Sequence, residues 1–252
     1  MVHRMITPAP TPPLTAANLN DFDSERERLH RQMLSSVSHD LKTPLASIIG
    51  ALEVFERMKD KLPDDKKLAL VNVALQESYR LDNFITNILD MAKLDNDMVK
   101  VNEEGAEVNA LVRNCLIRLN NRLHGSTVHF TPGAPLDVMT DPVLLSRAVC
   151  LVLDNAVKYG GTPSVIDISC YIDDESKSGI IEIHDNGSGI PETQTEVIFS
   201  KYTRSVKQDQ QNAGTGLGLA ICRAIMDLLG GTISAGNHPE GGALLTLRFP
   251  TQ

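Results

Sequence analysis

Residues 180–190 read Ile-Ile-Glu-Ile-His-Asp-Asn-Gly-Ser-Gly-Ile, a strand pattern that runs directly into a glycine-rich loop. A second glycine-rich stretch, Gly214-Thr-Gly-Leu-Gly-Leu219, opens a helical pattern further along the chain. Glycines permit tight turns and a close approach of the backbone to a ligand, and the first amides of a helix favour phosphate. Each stretch is weak evidence in isolation, because glycine-rich turns are common. Each is therefore only a candidate site for a ligand, and the case depends on the order and spacing of the further motifs.

An earlier helix adds three polar side chains that suit such a ligand. Asp141-Pro142 is a good helix start, and the pattern continues to about Tyr159. Asn155 lies three residues before Lys158 and four before Tyr159, so the three side chains project from one sector. An amide oxygen can bind Mg²⁺, an ammonium group can neutralise phosphate, and a ring can pack near a base. Taken alone, an ordinary amphipathic helix explains these residues more simply.

The second half of the chain alternates between strand and helix patterns without an internal repeat. This texture favours an α/β layer of mixed order. Residues 109–252 are therefore predicted to form one α/β domain, joined to what precedes it by a hinge linker at residues 98–108. The predicted strands are 127–131, 165–172, 179–184, 232–235 and 243–249, and the predicted helices are 109–124, 142–159 and 216–229.

The first half carries two helical patterns on either side of Pro63, with apolar residues at alternating three- and four-residue steps. They predict an antiparallel helical hairpin over residues 21–97, after a proline-rich flexible linker at residues 1–20. Two helices cannot cover both of their apolar stripes, so the economical fold is a four-helix bundle formed by two copies. The stripes are Leu34, Val37, Leu41, Leu45, Ile48, Leu52 and Phe55, then Leu68, Val71, Leu75, Leu81, Ile85 and Ile88.

His39 is the residue of the first helix that suits chemistry. It lies two residues after Val37 and two before Leu41, so it points away from the apolar stripe. An exposed imidazole can accept a phosphoryl group, and the adjacent Asp40 can bond one ring nitrogen as general base. A lone exposed histidine is nevertheless most often an ordinary solvated residue.

The composition excludes several classes of function. A net charge of -8, a pI near 5.4 and the lack of a basic cluster argue against nucleic acid as a partner. The four cysteines lie far apart among apolar residues, which predicts reduced core residues of a cytoplasmic protein. No apolar run approaches the ~18 residues that cross a bilayer, so no membrane contact is expected for this part of the protein.

The motifs resemble those of the histidine kinases in their order and spacing, over about residues 24–250. Residues 38–45, Ser-His-Asp-Leu-Lys-Thr-Pro-Leu, are similar to the H box, whose histidine is phosphorylated in that family. One departure is Leu151, where the family often has a further asparagine. The residues that resemble the N, G1, F and G2 boxes are Asn155 with Lys158, Asp185 with Gly187 and Gly189, Phe199, and Gly214, Gly216 and Gly218.

The resemblance implies roles for these residues. His39 is implied as the phosphoacceptor, and Asp40 with Thr43 matches a pattern in which the threonine orients water for dephosphorylation of a partner. Asn155 is implied to bind Mg²⁺ and Asp185 the adenine amino group of ATP. The segment after Phe199 corresponds to a lid over ATP. The remaining implied contacts with the nucleotide are Lys158, Tyr159, Gly187, Gly189, Phe199, Gly214, Gly216, Leu217 and Gly218.

The resemblance also implies the fold class and the reaction. The fold is α+β, with the dimeric four-helix bundle followed by an α/β sandwich ATP-binding domain of the histidine-kinase, Hsp90 and gyrase type. The implied function is a two-component histidine kinase that uses ATP and Mg²⁺ to phosphorylate itself on His39. The phosphate then passes to an aspartate of a response regulator, and phosphatase activity toward that regulator is implied as well.

A narrower likeness and two alternatives complete the prediction. Residues 216–225, 230–233 and 239–243 are similar to the potassium-responsive branch of these kinases, which implies a cytoplasmic fragment of an inner-membrane sensor. A conformational ATPase of the Hsp90 and gyrase type would use nucleotide without phosphotransfer, but such proteins lack a hairpin with an H box. A noncatalytic dimeric scaffold with a decayed site is disfavoured by the retained Asn155 and Asp185.

Overall fold

The structure is a computed structural model that describes residues 37–38, 40–96, 98–173, 175–201 and 216–251. Its contacts divide the chain into two compact units, of which the first ends at Leu81 and the second begins at Asp82. The linker predicted at residues 1–20 lies outside the described residues, as does the first part of the predicted hairpin. The division falls inside a long helix, so the second unit contains the end of the helical hairpin as well as the α/β pattern.

The first unit consists of helix α1, residues 40–58, and the N-terminal part of helix α2, Asp64–Asp95. Pro63 precedes α2, and Asp64 and Asp65 in its first turn interact favourably with the helix dipole. The predicted helical hairpin is therefore confirmed. None of the helices in the described part of the chain is both long enough and apolar enough to cross a membrane.

Both helices of the first unit leave large apolar side chains at the surface. Leu68 and Tyr79 are each 61% exposed, whereas Ala51 and Ala74 are buried. Helices in proteins are stabilised mainly by packing of their apolar faces, so this stripe needs a partner surface. A second copy of the hairpin would supply one in a four-helix bundle. Also exposed on these helices are Leu45, Ile49, Leu52, Val54, Met58, Val71, Val73 and Leu75.

The second unit continues from the end of α2 into an α/β fold. Its elements, in chain order, are β1 (Glu104–Glu107), α3 (Val108–Arg118), α4 (Asn120–Leu123), β2 (Ser126–Pro132), β3 (Asp137–Thr140), α5 (Pro142–Tyr159), β4 (Ser164–Asp173), β5 (Ser178–Asp185), α6 (Gly218–Leu228), β6 (Thr232–Asn237) and β7 (Ala243–Pro250). Two short 3-10 turns, Glu192–Gln194 and Val197–Phe199, lie between β5 and α6.

A five-stranded sheet with the order β2-β4-β5-β7-β6 forms the centre of this unit. Strand β2 pairs with β4 in parallel and the other neighbours are antiparallel, so the sheet of the predicted α/β layer is mixed. Helices α5 and α6 pack on the sheet and on each other, and α3 packs on α5. The alternating residues Ile166 and Ile168 of β4, like Ile181 and Ile183 of β5, are buried in the core.

A two-stranded sheet of β1 and β3 is the part of this fold that the sequence did not predict. Strand β1, Glu-Gly-Ala-Glu, lies inside the segment 98–108 that was predicted as a linker. Its composition is unfavourable for a strand, and antiparallel pairing with β3 about thirty residues later creates it. Glu107 then caps α3, accepting hydrogen bonds from the amides of Asn109 at 3.0 Å and Ala110 at 2.6 Å.

Candidate nucleotide-binding site

Asp185 lies at the C-terminal end of β5 and is 1% exposed. Its Oδ1 atom accepts hydrogen bonds from the amide of Gly187 at 2.9 Å and from the amide of Ala243 at 3.4 Å. Its Oδ2 atom is buried and has no hydrogen-bond partner within the described residues. A buried carboxylate oxygen without a donor is costly, so this atom is placed to accept a hydrogen bond from a ligand.

The electrostatics of Asp185 agree with this placement. Burial raises the pKa of its carboxyl above the usual value of 3.8. The amides of Gly187 and Ala243, and the neighbouring His184, act on this pKa in the opposite direction. The surrounding protein therefore compensates the negative charge only in part, and a ligand that donates to Oδ2 would stabilise the ionised form.

Glycines bring the loop after Asp185 against the end of α5. A side chain at Gly187 would collide with the backbone carbonyl of Tyr159, so only glycine permits this contact. Gly189 has a φ of +74°, a conformation that glycine adopts without strain. The structure thus brings together Asp185, Gly187 and Tyr159, which the sequence analysis had placed in one nucleotide site.

Asn186 ties the same loop to the chain that follows α5. Its Oδ1 atom accepts hydrogen bonds from the amides of Gly161 at 3.0 Å and Val165 at 2.8 Å. Its Nδ2 atom donates to the carbonyl of Pro163 at 2.8 Å. One side chain therefore satisfies three backbone groups and fixes the loop beside the end of α5.

Asn237 and Gly242 hold the loop from the other side, and the sequence analysis missed both. Asn237, the last residue of β6, accepts from the amide of Ile190 at 2.7 Å and donates to its carbonyl at 2.8 Å. Gly242 has a φ of +83°, and a side chain there would collide with the carbonyl of Asp185. The turn Gly241-Gly242 in the sequence was the available signal, but it gives no indication of what the turn contacts.

Helix α5 presents Asn155, Lys158 and Tyr159 at its C-terminal end. The start of the helix is fixed by Asp141, whose Oδ1 accepts from the amides of Val143 and Leu144 at 3.0 Å each. All three polar side chains are half-buried. The ammonium nitrogen of Lys158 lies 5.0 Å from the centre of the Tyr159 ring. A carbonyl-type oxygen, a cation and an aromatic ring thus share this end of the helix.

The N-terminus of α6 provides backbone amides for a phosphate group. Gly216 has a φ of +64°, and Leu217, fully buried, precedes the first helical residue, Gly218. Leucine has no polar side-chain atom to cap the amides of the first turn, which leaves them to other acceptors. A side-chain carbon at Gly218 would lie 3.7 Å from Leu151 of α5, so that leucine packs beside the amides.

Phe199 is anchored on α6 by Arg223. The phenylalanine is 4% exposed, and the guanidinium carbon of Arg223 lies 4.1 Å from the centre of its ring. Arg223 also forms an ion pair with Glu196 at 2.9 Å. The chain that leads into the predicted lid is thereby fixed to the helix that carries Gly218.

The residues predicted for phosphotransfer belong to the first unit. Asp40 is half-buried and Thr43 is exposed, about one turn further along α1. His39 and Gly214 lie outside the described residues. The roles of these residues stay predictions, as do the roles of the other predicted site residues.

Two protein-family models match the chain. Residues 29–97 match the His Kinase A (phospho-acceptor) domain, and residues 140–252 match the histidine kinase-, DNA gyrase B-, and HSP90-like ATPase. This chain belongs to the histidine kinases. The match of residues 29–97 to a phospho-acceptor domain disfavours the alternative of a conformational ATPase without phosphotransfer.

This histidine kinase is similar to parts of longer sensor proteins. It is 34% identical over 232 residues to the sensor protein KdpD of Escherichia coli, a match that covers 91% of this chain and 25% of that protein. It is 32% identical over 230 residues to the sensor protein KdpD of Clostridium acetobutylicum, covering 90% of this chain and 25% of that protein. The chain thus spans about a quarter of the length of these curated relatives.

Solved histidine kinases share the fold. The mycobacterial sensor histidine kinase MprB is 26% identical with a TM-score of 0.53, covering 60% of this chain and 99% of that chain. Histidine kinase ThkA in complex with response regulator protein TrrA is 24% identical with a TM-score of 0.66, covering 92% of this chain and 66% of that chain. These likenesses agree with the predicted order of a helical hairpin followed by an α/β ATPase domain.

Proposed function

We propose that this chain binds ATP around Asp185 and uses it to phosphorylate His39. The observation that carries the proposal is the Oδ2 atom of Asp185, which is buried and has no hydrogen-bond partner among the described residues, next to a loop whose contact with α5 only glycine permits. The amino group of adenine is a donor that fits such an acceptor. The match of residues 29–97 to a phosphoacceptor domain supports histidine as the acceptor of the phosphate.

The rest of the site fits the phosphates of ATP and a Mg²⁺ ion. The first amides of α6 and the ammonium group of Lys158 would neutralise negative charge on the phosphates. Asn155 would offer its amide oxygen to Mg²⁺, a hard cation that prefers oxygen ligands. Leu151, buried beside Gly218, offers no second amide. Bound Mg²⁺ supplies charge neutralisation for phosphoryl transfer.

In the proposed reaction, a ring nitrogen of His39 attacks the γ-phosphorus of ATP. The bond from that phosphorus to the bridging oxygen breaks, ADP leaves, and a phosphorus–nitrogen bond forms. Asp40, adjacent in sequence, holds or takes up the ring proton as general base. Thr43 is proposed to orient the water that removes phosphate from the partner in the phosphatase reaction.

We propose two protein partners. A second copy of the chain would cover the exposed apolar stripe of α1 and α2, and a response regulator would accept the phosphate on an aspartate. Support for the second partner comes from ThkA, which was solved in complex with the response regulator protein TrrA. From the resemblance in sequence we further propose a place on the cytoplasmic side of an inner-membrane sensor and a potassium-linked signal; the two KdpD relatives are themselves named sensor proteins.

Phosphohistidine chemistry tests the proposal directly. The parent chain, His39→Ala and the control His124→Ala, which changes an exposed histidine of the second unit, are incubated with Mg²⁺ and γ-labelled ATP. We expect acid-labile, alkali-stable label on the parent and on His124→Ala, and none on His39→Ala. Equal labelling of His39→Ala and the parent would show that His39 is not the acceptor. Equilibrium binding of ATP, measured in parallel, separates loss of phosphotransfer from loss of the nucleotide site.

A further inference from the structure

Cys115 of α3 and Cys150 of α5 face each other where the two helices pack. Each thiol shifts the pKa of the other, as expected for two side chains that lie close together. The Sγ atom of Cys115 also lies 3.5 Å from the carbonyl oxygen of Ser146, one turn before Cys150 on α5. Ser146 and Cys150 are i, i+4 neighbours on one face of α5, so this contact brings the Cys115 thiol close to Cys150.

Cys150 is the member of the pair that small solutes can reach. It lines a cavity of about 350 Å³ between the C-terminal end of α2 and helices α5 and α6. Lys93 and Arg118 also line this cavity and are exposed, so the cavity is open to solvent. Cys150 is 9% exposed, whereas Cys115 behind it is 1% exposed.

The charges around the pair favour a thiolate on Cys150. The hydrogen bond from Cys115 lowers the pKa of the Cys150 thiol, and the positive charges of Arg118 and Arg147 act in the same direction. Burial and the negative charge of Asp154 oppose this lowering of the pKa. The same hydrogen bond, together with burial, raises the pKa of Cys115. Cys150, which is also the more exposed thiol and lines the cavity, is therefore the one that acts as nucleophile.

The other two cysteines have a different environment. Burial raises the pKa of Cys170 to about 12 and raises the pKa of Cys222 further. The Sγ atom of Cys222 donates to the carbonyl of Ala148 at 3.6 Å. Like Cys115 and Cys150 they belong to the apolar core, but they do not line the cavity beside Cys150. They serve as internal controls for the reactivity of Cys150.

We propose that Cys115 and Cys150 form a reversible dithiol–disulfide site that hydrogen peroxide oxidises in the folded protein. The Cys150 thiolate attacks one peroxide oxygen, the oxygen–oxygen bond breaks, and a sulfenic acid forms as hydroxide leaves and is protonated to water. The Cys115 sulfur then attacks the Cys150 sulfur, the sulfur–oxygen bond breaks, and a second water leaves. Two thiols and one peroxide give one disulfide and two waters, and exchange with a dithiol reductant reverses the reaction.

Peptide mapping tests this proposal without any measurement of kinase activity. The reduced chain, freed of reductant, is treated with hydrogen peroxide under native conditions, alkylated and digested with trypsin. The four cysteines fall in separate peptides, 114–118, 148–158, 159–177 and 208–223. We expect peptides 114–118 and 148–158 to be linked by a disulfide bond, and the link to disappear after treatment with dithiothreitol. Cys170 and Cys222 should remain alkylated and react at least about tenfold more slowly.

Matched variants identify the chemistry. Cys150→Ser should leave Cys115 free to react with the alkylating agent. Cys115→Ser should give a sulfenic acid on Cys150 that dimedone traps. Cys170→Ser should behave as the parent. Arg118→Gln keeps both thiols and changes an exposed side chain, and it should slow oxidation several-fold. The proposal is overturned if the disulfide bond forms only in denaturant, or if Cys170 or Cys222 reacts as fast as Cys150.

Discussion

The buried charge of Asp185 lowers the stability of the unliganded protein, but in the proposed complex the same carboxylate binds the nucleotide. We expect Asp185→Asn to be at least as stable as the parent without nucleotide, because it removes an incompletely compensated buried charge. It should bind ATP roughly 10- to 100-fold more weakly, since an amide nitrogen at the Oδ2 position cannot accept from adenine. Thermal unfolding and equilibrium ATP binding measure the two effects.

A control on the same strand separates the role of Asp185 from a general effect of charge. Glu182→Gln makes the same chemical change on β5, where the carboxylate accepts from the hydroxyls of Tyr171 at 3.1 Å and Ser169 at 3.4 Å. It should bind ATP like the parent. Parental affinity in Asp185→Asn would contradict the assignment of the adenine acceptor.

The raised pKa of Asp185 gives the same residue a pH dependence. The carboxyl binds its proton more tightly in the folded protein than in the unfolded chain. The free energy of unfolding of the unliganded protein should therefore fall as pH rises through the pKa of the folded state. ATP affinity should change in the opposite sense and fall on acidification at a pH above 3.8, because protonation removes the acceptor. Calorimetric titrations across this range should show the step in the parent and not in Asp185→Asn.

At the scale of single residues, the sequence was informative where a motif is local. Asp185, Gly187 and Gly189 stand together after a strand, so their pattern could be read directly. Asn237 lies 47 residues beyond Ile190, and only the pairing of β6 and β7 brings it to the loop. No pattern in the sequence reports a contact that the fold creates over such a separation.

Among the elements, helix α5 and strand β1 show the two extremes of predictability. The bounds of α5, Pro142–Tyr159, were predicted because Asp141 and Pro142 form a strong start and an apolar periodicity continues to the end. Strand β1 is four residues long and contains two glutamates and a glycine. Its pairing with β3 depends on the surrounding fold, so local propensity could not indicate it.

The contact between α6 and the 3-10 turn Val197–Phe199 leads to a prediction at the same scale. Arg223→Ala removes the guanidinium group over Phe199 and the ion pair with Glu196. We expect the KM for ATP to rise about fivefold, the equivalent of about 1 kcal/mol, because the segment predicted to form a lid would lose its fixed stem. The melting temperature should change little, since the Glu196 side chain is 80% exposed and exposed ion pairs contribute little.

Two further variants divide the role of Arg223 between its contacts. Glu196→Gln removes only the ion pair and should raise KM less than Arg223→Ala does. Arg223→Lys keeps the charge but loses the flat guanidinium group, so an intermediate KM is expected. An unchanged KM in Arg223→Ala would show that this contact does not position the lid.

For the whole molecule, the exposed stripe of the first unit predicts the state of assembly. Leu52→Glu places a charge in the proposed bundle interface, where burial of an unpaired carboxylate is strongly unfavourable. We expect it to be monomeric at concentrations at which the parent is dimeric, and to retain ATP binding in the second unit. Sedimentation velocity measures the mass, and Glu53→Gln, on an exposed neighbour, is the dimeric control. A dimeric Leu52→Glu would contradict the bundle.

The division of the whole chain was harder to predict than its parts. Both folding patterns could be read from periodicity, and the predicted boundary was placed near residues 97–98, where the helical pattern ends. The contacts instead divide the chain between Leu81 and Asp82, inside the continuous helix α2. The end of α2 belongs to the second unit because Met91 is in its core and Asp90 pairs with Arg147 at 2.8 Å. Helical periodicity carries no information about which neighbour a given turn contacts.

The hydrogen bonds of the Asn186 side chain also affect its rate of chemical degradation. Asparagine followed by glycine is the dipeptide most prone to deamidation, because the small glycine lets its amide nitrogen attack the side-chain carbonyl carbon. In this protein Asn186 precedes Gly187, and its side chain is held by Gly161, Val165 and Pro163. The same hydrogen bonds that fix the loop therefore also protect Asn186 from deamidation. Spontaneous conversion to aspartate or isoaspartate, one residue from Asp185, can proceed only as often as that loop opens.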